Sequence, residues 1–291
     1  MDTLVIQILN SLLYTSSLFL IAGGLSLIYG VMGIVNLAHG SLYALGAYVA
    51  AWSVGLLAGG LPTPALYFLL PVSALAVGAV GVIIEPTLLR PLYKRAEEYQ
   101  LLMTFGLLLI LEDVMRLFWG PYPLAAMDLW SFLGSSTIGT LMYPNYNLLA
   151  IALGLLSAVL LWLFIYKTKF GVMLRATSQD MRTASALGVN VKRIYIQAFA
   201  IGCFMAGLGG AFIVPIQTAT LGMGMDALIL AFVVVVIGGL GSLEGALVGA
   251  LIVGFIRTVG IIFFPEIELA MLYLIAVVVL MVKPTGLFGR K

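Results

Sequence analysis

Long apolar stretches recur along almost the whole chain, and they constrain its fold more than any other feature of the sequence. Only 9% of the residues are charged, whereas a soluble domain carries ~25% charged residues. Most of the stretches approach the ~20 residues with which a helix crosses the hydrocarbon core of a bilayer. The sequence therefore predicts an all-α polytopic membrane protein, a single transmembrane domain over 1–291 with about eight to nine transmembrane or re-entrant helices. The apolar stretches are 8–30, 38–59, 65–89, 100–119, 147–166, 195–217, 227–238, 244–263 and 267–283.

The basic residues are unevenly distributed, and their distribution predicts the topology. Twelve of the 14 lysines and arginines fall in three clusters, whereas the alternate loops carry acidic residues and no Lys or Arg. Cytoplasmic loops of membrane proteins are enriched in Lys and Arg, so we expect the N-terminus outside and the C-terminus in the cytoplasm. The clusters are Arg90, Lys94 and Arg95; Lys167, Lys169, Arg175, Arg182, Lys192 and Arg193; and Lys283, Arg290 and Lys291.

The apolar run 227–238 is too short for a comfortable crossing, and a glycine-rich segment follows it. The segment Gly238-Gly-Leu-Gly-Ser-Leu-Glu-Gly245 separates this run from the next one, a pattern typical of a discontinuous or re-entrant helix pair. Within it, Gly241-Ser-Leu243 repeats Gly40-Ser-Leu42. This repeat suggests an internal duplication.

A glycine-rich stretch without formal charge runs from Gly24 to Tyr48 and holds the only histidine, His39, with Asn36 and Ser41 close by. Polar side chains are costly in hydrocarbon, so these should face protein or a water-filled cavity. Glycines let backbones approach closely, or let a helix break where it lines such a cavity. The stretch is therefore a candidate element of a translocation pathway. A close-packed helix pair with hydrogen-bonded polar groups explains the same residues equally well.

Further charged residues interrupt apolar runs. Glu244, beside Ser242, lies in the glycine-rich break, where it either lines a pathway or belongs to a cytoplasm-facing turn. Arg116 follows Glu112 by four residues and Asp113 by three, the spacing that places opposite charges on one helix face. We therefore expect an ion-paired cluster near a helix end there, with a substrate site as the alternative. Arg257 stands thirteen residues after Glu244, which is too far for a pair within one helix.

The basic loop at about 167–193 predicts a short cytoplasmic helix. Thr177-Ser-Gln-Asp180 has the pattern of a capping box at its start, and Gly188 is placed to end it. A helix of this size has little stability of its own, so it should dock on a partner or lie among lipid headgroups. Four side chains fall near one face: Met181, Ala184, Ser185 and Leu187.

Motifs for catalysis are missing from the sequence. No Gly-Lys dipeptide occurs, so there is no P-loop for ATP. Neither HExxH nor GxSxG is present, and one cysteine and one histidine leave no cluster for a metal ion. We expect a chain that is not an enzyme, binds no metal or cofactor of its own, and has no nucleic acid as a partner.

Four motifs carry a resemblance to a known family: Leu25-Ser-Leu-Ile-Tyr-Gly30, Gly33-Ile-Val-Asn-Leu-Ala-His-Gly40, Leu45-Gly-Ala-Tyr48 and Gly238-Gly-Leu-Gly-Ser242. The chain resembles, over nearly its whole length, the membrane-spanning permease subunits of bacterial ABC importers for branched-chain amino acids. The resemblance implies a pathway-forming chain in the bacterial inner membrane, while partner ATPase subunits carry ATP and Mg²⁺. The implied partners are a second homologous permease subunit, two ATP-binding subunits, and a periplasmic or extracellular substrate-binding protein.

In such importers a short cytoplasmic helix of the permease docks in a groove of the ATPase subunit, and the resemblance assigns that role to the loop at about 167–193. The family pattern, Glu-Ala-Ala followed by Gly, aligns on Arg182-Thr-Ala184 and Gly188, where only Ala184 and Gly188 agree. Three alternatives stay open: a permease for urea or short amides, a secondary transporter with Glu244 as an ion ligand, and a passive channel.

Overall fold

The computed structural model describes residues 2–289, which are folded largely as α-helix. The strands β1 (Ser135–Ile138) and β2 (Leu141–Pro144) form a two-stranded antiparallel hairpin near the middle of the chain. The helices, in chain order, are α1 (Asp2–Met32), α2 (His39–Leu57), α3 (Thr63–Leu66), α4 (Leu69–Ile84), α5 (Glu97–Trp119), α6 (Met127–Phe132), α7 (Asn145–Lys167), α8 (Lys169–Gln179), α9 (Met181–Ala186), α10 (Val191–Ile213), α11 (Met223–Gly238), α12 (Leu243–Phe263) and α13 (Glu268–Val282), with single π or 3₁₀ turns at Glu85–Leu89, Arg90–Leu92 and Pro265–Ile267.

Each apolar stretch of the sequence corresponds to a helix, which confirms the all-α polytopic fold. Within residues 2–289, seven helical segments are long and apolar enough to cross a membrane, and two of these join a helix to the adjacent helical turns. Helix α5 has 23 residues but carries more charge, and α11 has only 16. The predicted pair of helices around a glycine break is also confirmed, because α11 and α12 pack together and are joined by a turn in which Gly239 and Gly241 have positive φ.

Glycines bring the central helices unusually close together. A Cβ atom on Gly46 of α2 would stand 2.2 Å from the carbonyl oxygen of Gly207 in α10, and one on Gly40 would stand 2.1 Å from that of Gly224 in α11. Only a residue without a Cβ permits such contacts, and small residues of this kind mark helix interfaces in membranes. Helices α1, α2, α10, α11 and α12 form the core in this way, and α4 packs against α10.

The outward faces of the helices are as apolar as the interior. Leu117 of α5 is 82% exposed, and Met281 and Val282 of α13 are 81% and 82% exposed. Monomeric soluble proteins rarely expose contiguous apolar surface of this kind, whereas lipid tails are as apolar as leucine. The protein is therefore a multi-pass membrane protein.

The basic clusters lie together at one end of the bundle, called here the basic end (90–95, 167–193 and 283–289). The rings of Tyr93 and Tyr195 stand 5.3 Å apart and join the first cluster to the start of α10. The backbone N–H of Phe288 donates to the carbonyl of Gly238 at 2.8 Å and joins the C-terminal segment to the end of α11. The remaining two residues of the third cluster, 290 and 291, lie outside the described residues.

The loops without basic residues meet at the opposite end. Leu124 and Ala219 form an isolated β-bridge between two of them. The backbone N–H of Thr140 in the hairpin turn donates to Asp2 Oδ2 at 3.0 Å, which places the start of α1 there as well. The loops that the charge pattern grouped therefore do share an end. That the basic end faces the cytoplasm stays a prediction.

The ion pair predicted between Arg116 and Glu112 is wrong. Arg116 is exposed, and neither of the salt bridges formed within residues 2–289 involves it. Glu112 instead accepts a hydrogen bond from the backbone N–H of Gly222, the residue that precedes α11. A carboxylate in this place favours the start of a helix because backbone N–H groups are unpaired there.

Candidate functional site

Helix α2 begins inside the bundle instead of at its edge. Gly33, with φ +67°, ends α1, and a non-helical segment then runs back between the helices as far as Ala38. The Nε2 atom of His39 lies 3.0 Å from the carbonyl oxygen of Ile21, eleven residues before the end of α1, or ~16 Å along its axis. The stretch thus contains both the helix break and the close helix contacts that the sequence left open as alternatives. Irregular backbone at such depth is tolerated only where protein or a water-filled cavity surrounds it.

The polar side chains of this segment are buried within the protein. Asn36 and His39 are both 0% exposed, and Ser41 donates to the carbonyl of Leu108 at 3.2 Å. The Asn36 amide has no hydrogen-bond partner among residues 2–289, and neither does Nδ1 of His39. An unpaired buried amide costs ~1–3 kcal/mol, so close packing alone does not explain Asn36.

A first cavity of about 560 Å³, the inner cavity, opens at the basic end. The end of α1, helices α7 and α8, and the α11–α12 turn surround it, and Ser242, Glu244, Arg175 and Ser178 line it. Ser242 also caps α12, since its Oγ accepts from the N–H of Gly245 at 3.0 Å. Glu244 is half-buried. It therefore lies in the first turn of α12 at the basic end, and it lines a cavity as well.

A second cavity of about 410 Å³, the outer cavity, lies on the other side of the core, toward the end opposite the basic end. Helices α1, α2, α11 and α12 and the segment after α10 surround it. Its charged lining residues are Arg257 and Asp226, and its apolar wall includes Leu18, Ile21 and Leu230.

Arg257 is the functional candidate that sequence reasoning left without a role. Its Nε lies 3.3 Å from Glu268 Oε1 in α13, an ion pair without hydrogen-bond geometry. Its guanidinium carbon lies 4.8 Å from the ring centroid of Tyr14, a cation–π contact. The signal in the sequence was an arginine within an apolar run, which by itself marks a functional-site hypothesis.

The start of α2 separates the two cavities. On α1 the outer cavity extends as far as Ile21, and the inner cavity begins at Ser26. His39 packs against the residues between them: it contacts Ile21, and a Cβ on Gly24 would stand 3.2 Å from its ring. The buried His39 therefore lies beside the part of α1 that separates the two cavities.

The basic loop at 167–193 contains two helices, α8 and α9, and the predicted capping box is wrong. Thr177 lies within α8 and donates to the carbonyl of Met173 at 2.8 Å. Asp180 alone caps α9, since its Oδ1 accepts from the N–H groups of Arg182 and Thr183 at 2.9 and 3.1 Å. Hydrogen bonds from Thr183 in particular hold the pKa of the exposed Asp180 carboxyl below its usual value.

Gly188 ends the short helix as predicted. It has φ +88°, and its N–H donates to the carbonyl of Ser185 at 3.0 Å. The N–H of Val189 donates to the carbonyl of Ala184 at 3.1 Å. This pair of bonds is the Schellman arrangement, which glycine favours because it adopts positive φ without strain.

The predicted partner-facing side of α9 needs one correction. Ala184 is 3% exposed and packs against the chain itself, so its assignment to that side is wrong. Met181 and Leu187 are 48% and 79% exposed, and Ser185 is exposed as well. The apolar surface that α9 presents therefore consists of Met181 and Leu187.

Comparison with known proteins decides the family. A family profile described as "Branched-chain amino acid transport system / permease component" matches residues 7–282. The chain belongs to this family. Its outer and inner cavities and its α8–α9 loop are thus features of a transport permease. Among residues 2–289, no three side chains of His, Cys, Asp or Glu come together as metal ligands would.

Individual relatives agree with the family match. The high-affinity branched-chain amino acid transport permease BraD of Pseudomonas aeruginosa is 30% identical over 293 residues, which cover 98% of this chain and 95% of BraD. The permease LivH of Escherichia coli, of the same description, is 29% identical over 296 residues, with 98% and 95% covered. A solved structure of PsaBC from Streptococcus pneumoniae in complex with Fab superposes with a TM-score of 0.48 at 14% identity, covering 92% of this chain and 89% of that one.

Proposed function

We propose that this chain is the permease subunit of an ATP-driven ABC importer that carries branched-chain amino acids across the bacterial inner membrane. The observation that supports this proposal most is the match to BraD and LivH over 98% of the chain, since both are named as permeases for these substrates. The second candidate class of substrate is urea or short amides, with a secondary transporter or a channel less favoured.

The pathway in this proposal runs along α1 from the outer to the inner cavity. Asn36, His39 and Ser41 form the barrier that closes it in the present conformation, and Ser242 and Glu244 line its exit. The burial of the barrier between two cavities supports this assignment. Alternating access requires such a barrier, because a pathway open to both sides at once would be a channel.

The α8–α9 loop is the proposed contact with the ATPase. Met181, Ser185 and Leu187 present the docking surface, Ala184 anchors α9 to the permease, and Gly188 ends it. Exposed leucine and methionine next to basic residues support a protein contact. Movement of α9 would then reach the pathway directly, because α8 lines the inner cavity through Arg175 and Ser178.

The complete importer in this proposal contains several chains. They are a second homologous permease subunit, two ATP-binding subunits that carry ATP and Mg²⁺, and a periplasmic or extracellular substrate-binding protein. This chain spans the membrane with its N-terminus outside and its basic end in the cytoplasm, where the ATP-binding subunits are.

Uptake by the reconstituted importer tests the function. Proteoliposomes that contain the assembled complex should accumulate radiolabelled leucine only when ATP reaches the ATP-binding subunits, and ionophores should not reduce the uptake. Loss of uptake with ionophores would indicate a secondary transporter, and uptake without ATP a channel. Accumulation of urea or acetamide in place of leucine would establish the second candidate substrate class.

A further inference from the structure

We propose that the outer cavity is a binding site for a free aliphatic amino acid, in which Arg257 holds the α-carboxylate and Asp226 the α-ammonium group. This inference rests on the proposed function and adds to it a recognition site within the permease itself. The site requires a zwitterion with an apolar side chain, because the cavity pairs one positive and one negative group with an apolar wall.

Arg257 lies within an apolar run, where a charged side chain is unusual. It lies six residues before the end of α12, ~9 Å from the end opposite the basic end, and the helix carries one other charged residue, Glu244, in its first turn. Charged residues at such depth are rare and usually face a bundle interior or a cavity that carries substrate. Arg257 faces the outer cavity.

The known contacts of Arg257 leave most of its hydrogen-bonding capacity unused. Glu268 Oε1 lies 3.3 Å from Nε, and the guanidinium carbon lies 4.8 Å from the ring centroid of Tyr14. Arg257 donates no hydrogen bond to any other residue within 2–289. Guanidinium carries five N–H donors in a planar fork that matches a carboxylate. Glu268 and Tyr14 therefore orient the fork, while its Nη groups remain for a ligand.

The remaining walls fit the rest of an amino acid. Asp226 in the first turn of α11 supplies the opposite charge, and hydroxyl groups of Ser17 and Thr218 line the same cavity. Leu18 and Leu230 supply apolar surface for an aliphatic side chain. A cavity of about 410 Å³ falls within the ~300–1,000 Å³ of small-molecule sites. An uncharged amide would offer neither Arg257 nor Asp226 a group of opposite charge.

Protection from labelling measures binding at this site. Thr218→Cys, in a Cys203→Ala background, places one reporter thiol of this chain at the cavity. The assembled importer, without its substrate-binding protein, is treated with a maleimide in the presence of leucine, of its α-keto acid, or of isoamylamine. The α-keto acid lacks the ammonium group and the amine lacks the carboxylate. Leucine should protect the thiol, and each analogue should need a roughly tenfold or higher concentration, as expected for loss of a charge-assisted hydrogen bond.

Five variants test the residues. Arg257→Met should abolish protection by leucine, and Asp226→Asn should weaken protection by leucine but not by the α-keto acid. Arg116→Met removes an arginine from another apolar helix, away from the cavity, and should leave protection unchanged. The double variant Arg257→Met/Glu268→Leu removes both partners of the ion pair. Leucine should not protect the reporter thiol in this variant either. Arg257→Lys keeps the charge and should assemble, with weaker protection.

Defined results would overturn the proposal. Equal protection by leucine and by both analogues would show that the site does not recognise the α-carboxylate and the α-ammonium group of leucine. Restored protection in the Arg257→Met/Glu268→Leu variant would show that Arg257 serves only to neutralise Glu268. ATP-driven leucine uptake by the wild-type importer is the control for the proposed function. If the importer takes up leucine but leucine does not protect the Thr218→Cys thiol, the binding site is refuted and the proposed function is not.

Discussion

The close contact between Gly46 and Gly207 predicts a large effect of a single methyl group. In Gly46→Ala the new Cβ would stand 2.2 Å from the Gly207 carbonyl oxygen and 2.5 Å from its Cα. Both atoms belong to backbone, so no side chain can rotate away. Ordinary contacts between heavy atoms are ~3.5–4.0 Å, and α2 and α10 would have to separate by more than about 1 Å.

The magnitude follows from two opposing terms. Overpacking of a tight interior costs ~1–3 kcal/mol, while replacing glycine by alanine within a helix gains up to ~1 kcal/mol. Gly46→Ala should therefore destabilise the permease by about 1–2 kcal/mol. Gly55 lies in the same helix with nothing within 4 Å of its Cβ position. Gly55→Ala is the matched control and should be neutral or slightly stabilising.

Cys203 offers a native reporter for this comparison. It is the only cysteine of the chain, is 0% exposed, and lies in α10, the helix against which Gly46 packs. A fluorogenic maleimide should react with it only as the purified permease unfolds. The temperature of reaction should fall for Gly46→Ala and stay unchanged or rise for Gly55→Ala. Equal temperatures for the two variants would refute the account of glycine packing.

Three other predictions concern the loops. Leu187→Ala should reduce substrate-stimulated ATP hydrolysis of the assembled importer about fivefold or more without changing the temperature at which Cys203 reacts; unchanged hydrolysis would count against docking through α9. Because the pKa of Asp180 is depressed, its capping bonds are fully present above about pH 4 and are lost as pH falls through the lower folded-state pKa. The protection of α9 from hydrogen exchange should therefore not change through this cap between about pH 5 and 8. A loss of protection in that range would contradict the assignment of Asp180 as the cap. Cysteines at Asp128 and Ser178, in the Cys203→Ala background, should label from outside and from the cytoplasm respectively, and labelling of both from one side would reject the topology.

The sequence predicted what depends on local composition and spacing. Apolar length alone located the helices, and the basic clusters grouped the loops that share an end. The glycine-rich break at 238–245 and the break before His39 were both recognisable, because glycine and a polar residue within an apolar run mark a place where a helix stops. Gly188 was recognisable as a helix end for the same local reason.

What the sequence could not predict depends on contacts between distant residues. The partner of Arg257 is Glu268 on the next helix, so no spacing within one helix could reveal it. The burial of Ala184 depends on how α9 packs back on the chain, and six residues are too few to define a face. The capping box failed because Thr177 belongs to the preceding helix, α8, whose own cap at Thr168 was not recognised. The depth of His39 was not recognisable, since periodicity does not show where along α1 the next helix begins.

The central claim is that two cavities on opposite sides of His39 are reached from opposite sides of the membrane. Leu27→Cys and Leu18→Cys, each in the Cys203→Ala background, place one thiol in the inner and one in the outer cavity. In the nucleotide-free importer, an impermeant maleimide should label Leu27→Cys only from the cytoplasm and Leu18→Cys only from outside. Trapping with ATP and vanadate should change the side from which at least one of the two thiols is labelled. Labelling of both positions from the same side in the nucleotide-free state, or no change on trapping, would contradict the account.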